Sequence, residues 1–364
     1  MTLKLLPQSP EQEAAFKAVT KADRNKNKQK DGGGNDTFDS AGKRVIRHDG
    51  GKLHEIVDQF GQALAELNAD LFCYADRLVH VYPAPGGNTG GVHRQKGTLI
   101  VHPVDAVHLS ELGTRAAVHE RYDGRSEKYK IIDCPRRVSD SYLSRGNWPE
   151  IPALTGFVEA PTIDLEGRLL DQPGYDKQTG LFLSFDPIPG YEPAPKKPSK
   201  AHATAAANML LELIESFPCV SDSDRAAVLA GIITALVRRS LPSAPMLAIT
   251  APTPGTGKTM LAETPSVIAT GRRASVLSLG HDDAEAEKRL GGVLLAGDAC
   301  ILLDNIERPL GGDLLCQVTT QPSVRLRPLG TSGVVSVPTH ALLLATGNNL
   351  SIVGDLKRRV MLVR

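Results

Sequence analysis

The second half of the chain places short apolar runs between stretches with helical spacing. The runs hold four to six residues rich in Leu, Ile and Val, and they lie at 246–250, 275–279, 300–304, 341–346 and 360–363. Strands that alternate with helices are typical of a parallel sheet covered by helices. We therefore predict an α/β fold here, with a parallel sheet flanked by helices.

The first half follows a different pattern. Residues 1–51 end in a stretch of Lys, Asn, Asp and Gly that cannot bury enough surface to offset its ordering entropy, so we expect a flexible basic, Gly-rich segment. From Lys52, apolar residues recur at three- and four-residue spacing, which predicts a helix. Alternating runs at 77–83 and 97–103 predict strands. We expect residues 52–160 to form a smaller mixed α/β domain.

A connecting segment separates the two halves. Residues 161–200 finish with YEPAPKKPSK, which favours extended polyproline geometry and marks the expected domain boundary. The pattern then predicts two helices, at 201–217 and 222–240. Either Asp222 or Asp224 would be the N-cap of the second helix.

Composition excludes several classes of protein. Lys and Arg total 42 against 41 for Asp and Glu, so any nucleic-acid binding must come from a local patch rather than from the overall charge. Five scattered cysteines are typical of reduced thiols in a cytoplasmic protein. The longest apolar run, 228–237, is too short to span a membrane, and prolines interrupt the N-terminal apolar patch, so we expect neither a membrane segment nor a signal peptide.

The strongest chemical signal follows the first C-terminal strand. That strand runs into a Gly-rich loop and then a helical stretch, in which the candidate ATP contacts are Pro254, Gly255, Thr256, Gly257, Lys258 and Thr259. Backbone N–H groups of such a loop surround phosphate oxygens, Lys258 reaches the terminal phosphates, and the Thr259 hydroxyl ligates Mg²⁺. The alternative is a tight turn with an exposed lysine. Pro252 stands where the general pattern has glycine.

A triphosphate site also needs a carboxylate for the metal and a group that activates water. Asp304 ends the apolar run CILLD, where the carboxyl end of a strand meets a ligand crevice, so it is the candidate Mg²⁺ ligand; a turn-forming role is the alternative. The next residue, Asn305, cannot accept the proton of a water molecule. Glu307 is the candidate substitute, or Asp304 acts itself.

Two further pairs complete the candidate catalytic set. Asn348 and Asn349 follow the strand ALLLAT and could donate to the γ-phosphate or the attacking water, or else form an ordinary turn. Arg358 and Arg359 offer positive charge for a transition state, across a subunit interface if the protein is an oligomer, or else form a solvated basic turn.

The ordered set PTPGTGKT, ILLDN, LLLATGNN and DLKRR resembles the ATPase core of phage and prophage primase–helicase proteins, which are superfamily III helicase-like members of the AAA+ class of P-loop NTPases. The resemblance implies an ATP-driven, usually hexameric ring that translocates on DNA. It matches Lys258 and Thr259 to the Walker A pair and Asp304 to the Walker B aspartate. The remaining matches are Asn348 or Asn349 as the polar sensor and Arg358 or Arg359 as the arginine finger. Residues 201–364 would then be the ATPase module, ending abruptly as if truncated.

The resemblance further implies DNA contacts on a hairpin that precedes the strand ALLLAT. Two β-rich runs flank Gly330–Gly333, and Arg325 and Arg327 lie near the base of the predicted hairpin. Residues 323–364 carry six basic residues and one acidic residue, an excess suited to phosphate contacts. The alternative is that these arginines line subunit contacts or bind nucleotide from a neighbour.

Three functional hypotheses remain open. The first is an oligomeric ATPase that couples Mg-ATP hydrolysis to DNA translocation. The second is a module that binds nucleotide but hydrolyses it negligibly, because Asn305 replaces a carboxylate. The third is an ATP-driven remodeller of proteins. Loss of phosphate release in Lys258→Ala, stimulation by single-stranded DNA, and salt sensitivity of DNA binding would separate them.

Overall fold

The structure is a computed structural model, which describes residues 37–40, 42–67, 70–186, 195, 197–279, 283–327 and 333–364. The chain divides into two compact units. The first comprises the chain up to Tyr82 together with His102–Ala153, and the second comprises Pro83–Val101 together with Leu154–Arg364.

The α-helices in chain order are α1 Leu53–Leu67, α2 Ala106–Ala116, α3 Arg136–Ser144, α4 Lys200–Glu212, α5 Asp222–Val237, α6 Lys258–Thr270, α7 Asp283–Leu295 and α8 Asp313–Val318. The strands of the first half are β1 Thr37–Phe38, β2 Arg44–Arg47, β3 Leu71–Tyr74, β4 Arg77–Pro83, β5 Gly87–Thr89, β6 Val92–Arg94, β7 Leu99–Pro103, β8 Ala117–Asp123 and β9 Lys128–Ile132. Those of the second half are β10 Gly156–Val158, β11 Thr162–Ile163, β12 Leu169–Leu170, β13 Gly174–Asp176, β14 Leu181–Leu183, β15 Met246–Ala251, β16 Ser275–Leu277, β17 Cys300–Leu303, β18 Ser323–Leu326, β19 Val335–Pro338, β20 Leu342–Asn348 and β21 Val360–Val363.

The first unit packs three helices on one face of a four-stranded sheet of order β1-β2-β8-β9. The helix predicted from Lys52 is α1, and its apolar stripe, including Phe60 and Leu64, lies in the core. Tyr142 and Trp148 complete that core, and the indole N–H of Trp148 donates to the Tyr142 carbonyl at 2.8 Å.

Part of the segment expected to be flexible is ordered in this unit. Residues 1–36 and 41 lie outside the described residues, but Arg44–Arg47 forms β2, which pairs with β8 in parallel. Ile46 is fully buried in the core, and the buried guanidinium of Arg44 donates to Glu66 at 2.8 Å. One apolar side chain and one ion pair therefore hold a stretch whose composition is mostly polar.

The second unit contains a seven-stranded sheet of order β21-β15-β20-β17-β16-β6-β5. All five strands predicted for the C-terminal half are present as β15, β16, β17, β20 and β21, and these five pair with one another in parallel. The side chains of β15, β17 and β20 are buried on both faces, as expected of a parallel sheet between helices. The prediction of a mixed α/β fold with a parallel sheet is confirmed.

Two antiparallel strands at one edge of this sheet come from an earlier part of the chain. The β5–β6 hairpin pairs through β6 with β16, so residues 87–94, which the sequence analysis placed in the smaller domain, extend the large sheet instead. Arg94 of β6 makes two hydrogen bonds to the Asp298 carboxylate, at 2.8 and 2.7 Å. The two residues of this buried ion pair are more than 200 residues apart in sequence. The local sequence pattern therefore could not reveal that the hairpin joins this sheet.

The expected connecting segment also carries structure. Residues 156–183 form two small sheets, β10-β14-β13 and β11-β12, around a cluster of apolar side chains, Val158, Leu170, Leu181 and Leu183. Arg168 bridges Asp164 and Asp176 beside this cluster. The Pro-rich stretch at 187–194 and 196 lies outside the described residues.

The two helices expected before the large sheet are α4 and α5. The N-cap of α5 is Ser221, not Asp222 or Asp224, because the Ser221 hydroxyl accepts the Asp224 N–H at 3.2 Å while the Asp224 carboxylate accepts the Ser221 N–H at 3.0 Å. This reciprocal capping box places both aspartates in the first helical turn. Among the described residues, no helix combines the length and apolar character needed to cross a bilayer.

Candidate nucleotide site

A tight loop joins the end of β15 at Ala251 to the start of α6 at Lys258. Gly255 and Gly257 have φ values of 77° and 81°, in the left-handed region that favours glycine. Gly257 is also the N-cap of α6, and a Cβ at this position would lie 3.2 Å from Cε1 of Phe217. The two glycines therefore permit a sharp reversal that ends at a helix N-terminus, where backbone N–H groups attract anions.

The ammonium group of Lys258 folds back over this loop. Its Nζ donates to the Thr253 carbonyl at 2.8 Å and to Oγ1 of Thr256 at 3.1 Å. Within the described part of the chain, no carboxylate forms an ion pair with Lys258. The loop therefore holds a cation whose hydrogen-bond partners are neutral oxygens.

Asp304 lies directly after β17, at the carboxyl edge of the sheet. Its Oδ1 accepts a hydrogen bond from Oγ1 of Thr259 at 3.1 Å and another from Oγ1 of Thr346 at 2.6 Å. The structure thus brings together the two side chains that the sequence analysis assigned to Mg²⁺, although they are 45 residues apart. A carboxylate beside a hydroxyl is an oxygen donor set of the type that Mg²⁺ prefers.

Thr346 is a part of this site that the sequence analysis did not name. Its side chain is 2% exposed, and its hydroxyl both donates to Asp304 and accepts the Asn305 N–H at 3.0 Å. One buried hydroxyl therefore fixes the carboxylate and the backbone after it. The sequence does contain an indication of this role, because Thr346 is the one polar residue in the apolar run ALLLAT.

The loop after Asp304 carries the proposed substitute for a catalytic carboxylate. Asn305 has φ 53°, is exposed, and donates from Nδ2 to Oε1 of Glu307 at 3.3 Å. The Ile306 N–H donates to the Thr346 carbonyl at 2.8 Å, which ties this loop to β20. Glu307 therefore lies in the same loop as Asp304. It is exposed, and its carboxylate accepts a hydrogen bond from the side-chain amide of Asn305.

The two asparagines lie at the same edge as the Gly-rich loop. Asn348 is the last residue of β20 and pairs in register with Ala251, the last residue of β15. Asn349 has φ 48°, and its N–H donates to the Ala251 carbonyl at 3.0 Å. Both asparagine side chains are exposed beside the start of the loop.

A second acidic side chain approaches Asp304 from α6. Glu263 is buried, and its carboxylate lies 3.6 Å from Nε of Arg273. Burial raises the pKa of Glu263, the Arg273 guanidinium lowers it, and the negative charge of Asp304 raises it. Glu263 is therefore a carboxyl group near the candidate metal ligand that resists ionisation more than a solvated glutamate. Sequence pattern did not single it out.

The structure does not bring Arg358 and Arg359 to this loop. They end the 3₁₀ helix Gly354–Arg359, which leads into β21, and Val360 pairs with Met246 at the start of β15. Because β15 and β21 are parallel, the arginines lie at the amino edge of the sheet, opposite the loop. Both form ion pairs with Asp355.

The predicted hairpin is present as a separate two-stranded sheet. β18 and β19 pair antiparallel, and Arg325 lies opposite Ser336. The side chains of Arg325 and Arg327 are exposed. The expected turn at Gly330–Gly333 falls mostly on residues 328–332, which lie outside the described residues.

Comparison with known proteins adds little to this geometry. No protein-family model matches the chain, and no curated protein matches it. One similar solved structure is described as the A form apo structure of the NrS-1 C-terminal region, with a TM-score of 0.35 and 14% sequence identity. The match covers 71% of this chain and 61% of that one. Overlap at this level does not establish a common fold.

Proposed function

We propose that the second unit binds Mg-ATP and hydrolyses it, as the ATPase of a DNA-translocating oligomer of the phage and prophage primase–helicase type. The observation that carries this proposal is the hydrogen bond between Thr259 and Asp304 beside the loop that ends at Gly257. A strand, a Gly-rich reversal, a lysine, a hydroxyl and a carboxylate at one sheet edge are the parts that phosphoryl transfer requires.

The residues present fit a magnesium ion. Thr259 and Asp304 supply a hydroxyl and a carboxylate oxygen within 3.1 Å of each other, and the phosphates would supply further oxygens. Bound Mg²⁺ neutralises charge that develops on the phosphates. Lys258 would then exchange its bonds to Thr253 and Thr256 for phosphate oxygens.

The acidic groups around Asp304 would accept the proton of the attacking water. Glu307 is exposed within the same loop, and Glu263 is buried with a raised pKa, so both are candidate proton acceptors. Asn348 and Asn349 would orient the γ-phosphate or the water from the end of β20. Glu307, Asn348 and Asn349 lie at the carboxyl edge of the sheet, and Glu263 lies on α6.

The position of the remaining charges supports the proposal of an oligomer. Arg358 and Arg359 lie at the opposite edge from the loop, so they would reach a triphosphate only in a neighbouring copy. Arg325 and Arg327, exposed on the separate hairpin, would contact DNA phosphates. The proposal therefore includes a ring in which each site is completed by the next subunit.

One observation favours a second candidate function. Asn305 stands beside Asp304 with its amide bonded to Glu307, and an amide cannot take a proton from water. In this alternative, nucleotide binding orders an assembly or a DNA contact, and hydrolysis stays at background.

Phosphate release distinguishes the two. Wild type, Lys258→Ala and the matched surface variant Lys288→Ala are each measured with Mg-ATP, with and without single-stranded DNA. The proposal expects turnover that DNA stimulates, that Lys258→Ala abolishes and that Lys288→Ala retains. Background release by the wild type, combined with ATP protection against thermal unfolding that Lys258→Ala loses, would favour the binding module instead.

A further inference from the structure

Gly347 lies where the loop after Asp304 passes against β20. It is a buried residue of β20 and follows Thr346 directly. A Cβ built on Gly347 would lie 2.6 Å from the carbonyl oxygen of Ile306 and 3.1 Å from Cδ1 of Leu350. Carbon–oxygen contacts lie at about 3.3 Å or more even where a weak hydrogen bond draws the atoms together, so a side chain here would displace the Ile306 carbonyl by about 0.7 Å.

Space, rather than backbone conformation, requires glycine at this position. The φ of Gly347 lies outside the left-handed region, whereas those of Gly255 and Gly257 lie within it. A glycine inside a strand weakens the sheet and often marks the point where another part of the backbone approaches closely. The 2.6 Å separation from Ile306 identifies that part as the loop after β17.

Three hydrogen bonds hold this loop against β20. Oγ1 of Thr346 donates to Oδ1 of Asp304 at 2.6 Å and accepts the Asn305 N–H at 3.0 Å. The Ile306 N–H donates to the Thr346 carbonyl at 2.8 Å, and the Ile306 side chain is buried. The loop is therefore held in place beside Gly347, and an added methyl group would strain these bonds.

The Ile306 carbonyl belongs to the peptide group that joins Ile306 to Glu307. Displacement of its oxygen therefore moves the backbone of Glu307, one of the two candidate proton acceptors. The Glu307 carboxylate accepts a hydrogen bond from Nδ2 of Asn305 at 3.3 Å, within the same loop, whereas the other candidate, Glu263, lies on α6 beside Arg273. A misplacement of about 1 Å at a catalytic group can lower a rate about a hundredfold.

We propose that Gly347 is a positioning residue for water activation, and that Glu307 is the proton acceptor it positions. The missing side chain of Gly347 lets the peptide between Ile306 and Glu307 lie against β20, which sets the distance of the Glu307 carboxylate from a nucleotide held near Asp304. In this role Gly347 itself touches neither phosphate nor water. The inference rests on the proposed ATPase function and goes beyond it by assigning one acceptor and the residue that places it.

Gly347→Ala in the full chain tests the proposal. We expect its kcat for phosphate release with Mg-ATP to fall at least about tenfold, while its affinity for ATP with the metal chelated stays within about threefold of the wild type. Gly292→Ala is the matched control, because it adds the same methyl group to an exposed position of α7. There, among the described residues, a Cβ would meet no heavy atom outside its own helix within 4 Å. This control should keep the wild-type kcat.

A double-variant comparison separates positioning from a structural role. Once Glu307→Gln has removed the proton acceptor, adding Gly347→Ala should lower kcat by less than about threefold, because both changes act on the same step. Should Gly347→Ala alone not fold, Asn305→Gly is added, since glycine accepts φ 53° freely and lets the turn relax around the new methyl group. The pair should then turn over at least about tenfold more slowly than Asn305→Gly alone.

A Gly347→Ala kcat equal to that of the wild type would overturn this inference, as would a full additional loss in the Glu307→Gln background. Equal rates for Asn305→Gly with and without Gly347→Ala would overturn it as well. Background phosphate release by the wild type would overturn the proposed ATPase and this inference together. A wild type that turns over therefore distinguishes failure of the positioning role from failure of the proposed function.

Discussion

Arg94→Met probes whether the β5–β6 hairpin is an integral part of the large sheet. Arg94 is 12% exposed in its side chain and Asp298 is 0% exposed, and their two hydrogen bonds measure 2.8 and 2.7 Å. The Ser275 hydroxyl also donates to the same carboxylate. Methionine keeps much of the apolar volume of the arginine but leaves Asp298 buried without a cation.

The expected cost follows from this burial. Removing one partner of a buried ion pair destabilises a protein by about 3–5 kcal/mol, because the remaining charge is left desolvated. Removing both charges is far less costly. The double variant Arg94→Met/Asp298→Asn keeps an acceptor for Ser275, so it should recover about 2 kcal/mol or more of the loss.

Hydrogen exchange in urea, followed peptide by peptide, measures the effect in each unit separately. With an m-value of about 3 kcal/mol/M, peptides from β15–β17 should lose protection at a urea concentration lower by about 1–2 M in Arg94→Met. Peptides from the first unit should not change. A loss below about 1 kcal/mol in the second unit, or a double variant less stable than the single one, would refute this reasoning.

Three further outcomes follow from the structure. Thr346→Val, which removes the hydroxyl that fixes Asp304, should reduce phosphate release and lower the free energy of unfolding by about 1–3 kcal/mol, as measured by urea titration. Gly257→Ala forces a left-handed backbone on alanine, so it should cost about 1–2 kcal/mol and abolish the protection that ATP gives in thermal unfolding. Burial lowers the pKa of His48 and His80 to about 4, so the folded first unit binds fewer protons than the unfolded chain between that value and 6.5. Its stability, followed by Trp148 fluorescence, should therefore fall as pH falls through that window, and His80→Asn should move the acid midpoint lower.

The sequence predicted the parts of the fold that local periodicity encodes. All five parallel strands and helix α1 lie where their apolar patterns place them, because strands buried on both faces read as apolar runs. The hairpin at β5–β6 could not be assigned this way, since its membership of the large sheet depends on pairing with β16 and on the Arg94–Asp298 ion pair. Those partners are distant in sequence.

In the candidate site, too, local sequence pattern predicted some residues, whereas others depend on contacts between distant parts of the chain. Thr259 and Asp304 were assigned from the end of a strand and a Gly-rich turn, and the structure places them in hydrogen-bond contact. Thr346 and Glu263 approach Asp304 from a neighbouring strand and from a helix, so only the packed sheet reveals them.

Calorimetric titration of ATP, with Mg²⁺ and then with the metal chelated, most directly tests the proposed magnesium site formed by Thr259 and Asp304. The account predicts that Mg²⁺ tightens ATP binding to the wild type and that Asp304→Asn loses this gain while it still binds metal-free ATP. If Asp304→Asn showed the same Mg²⁺-dependent gain as the wild type, the carboxylate would not serve the metal, and the assignment of this site would be contradicted.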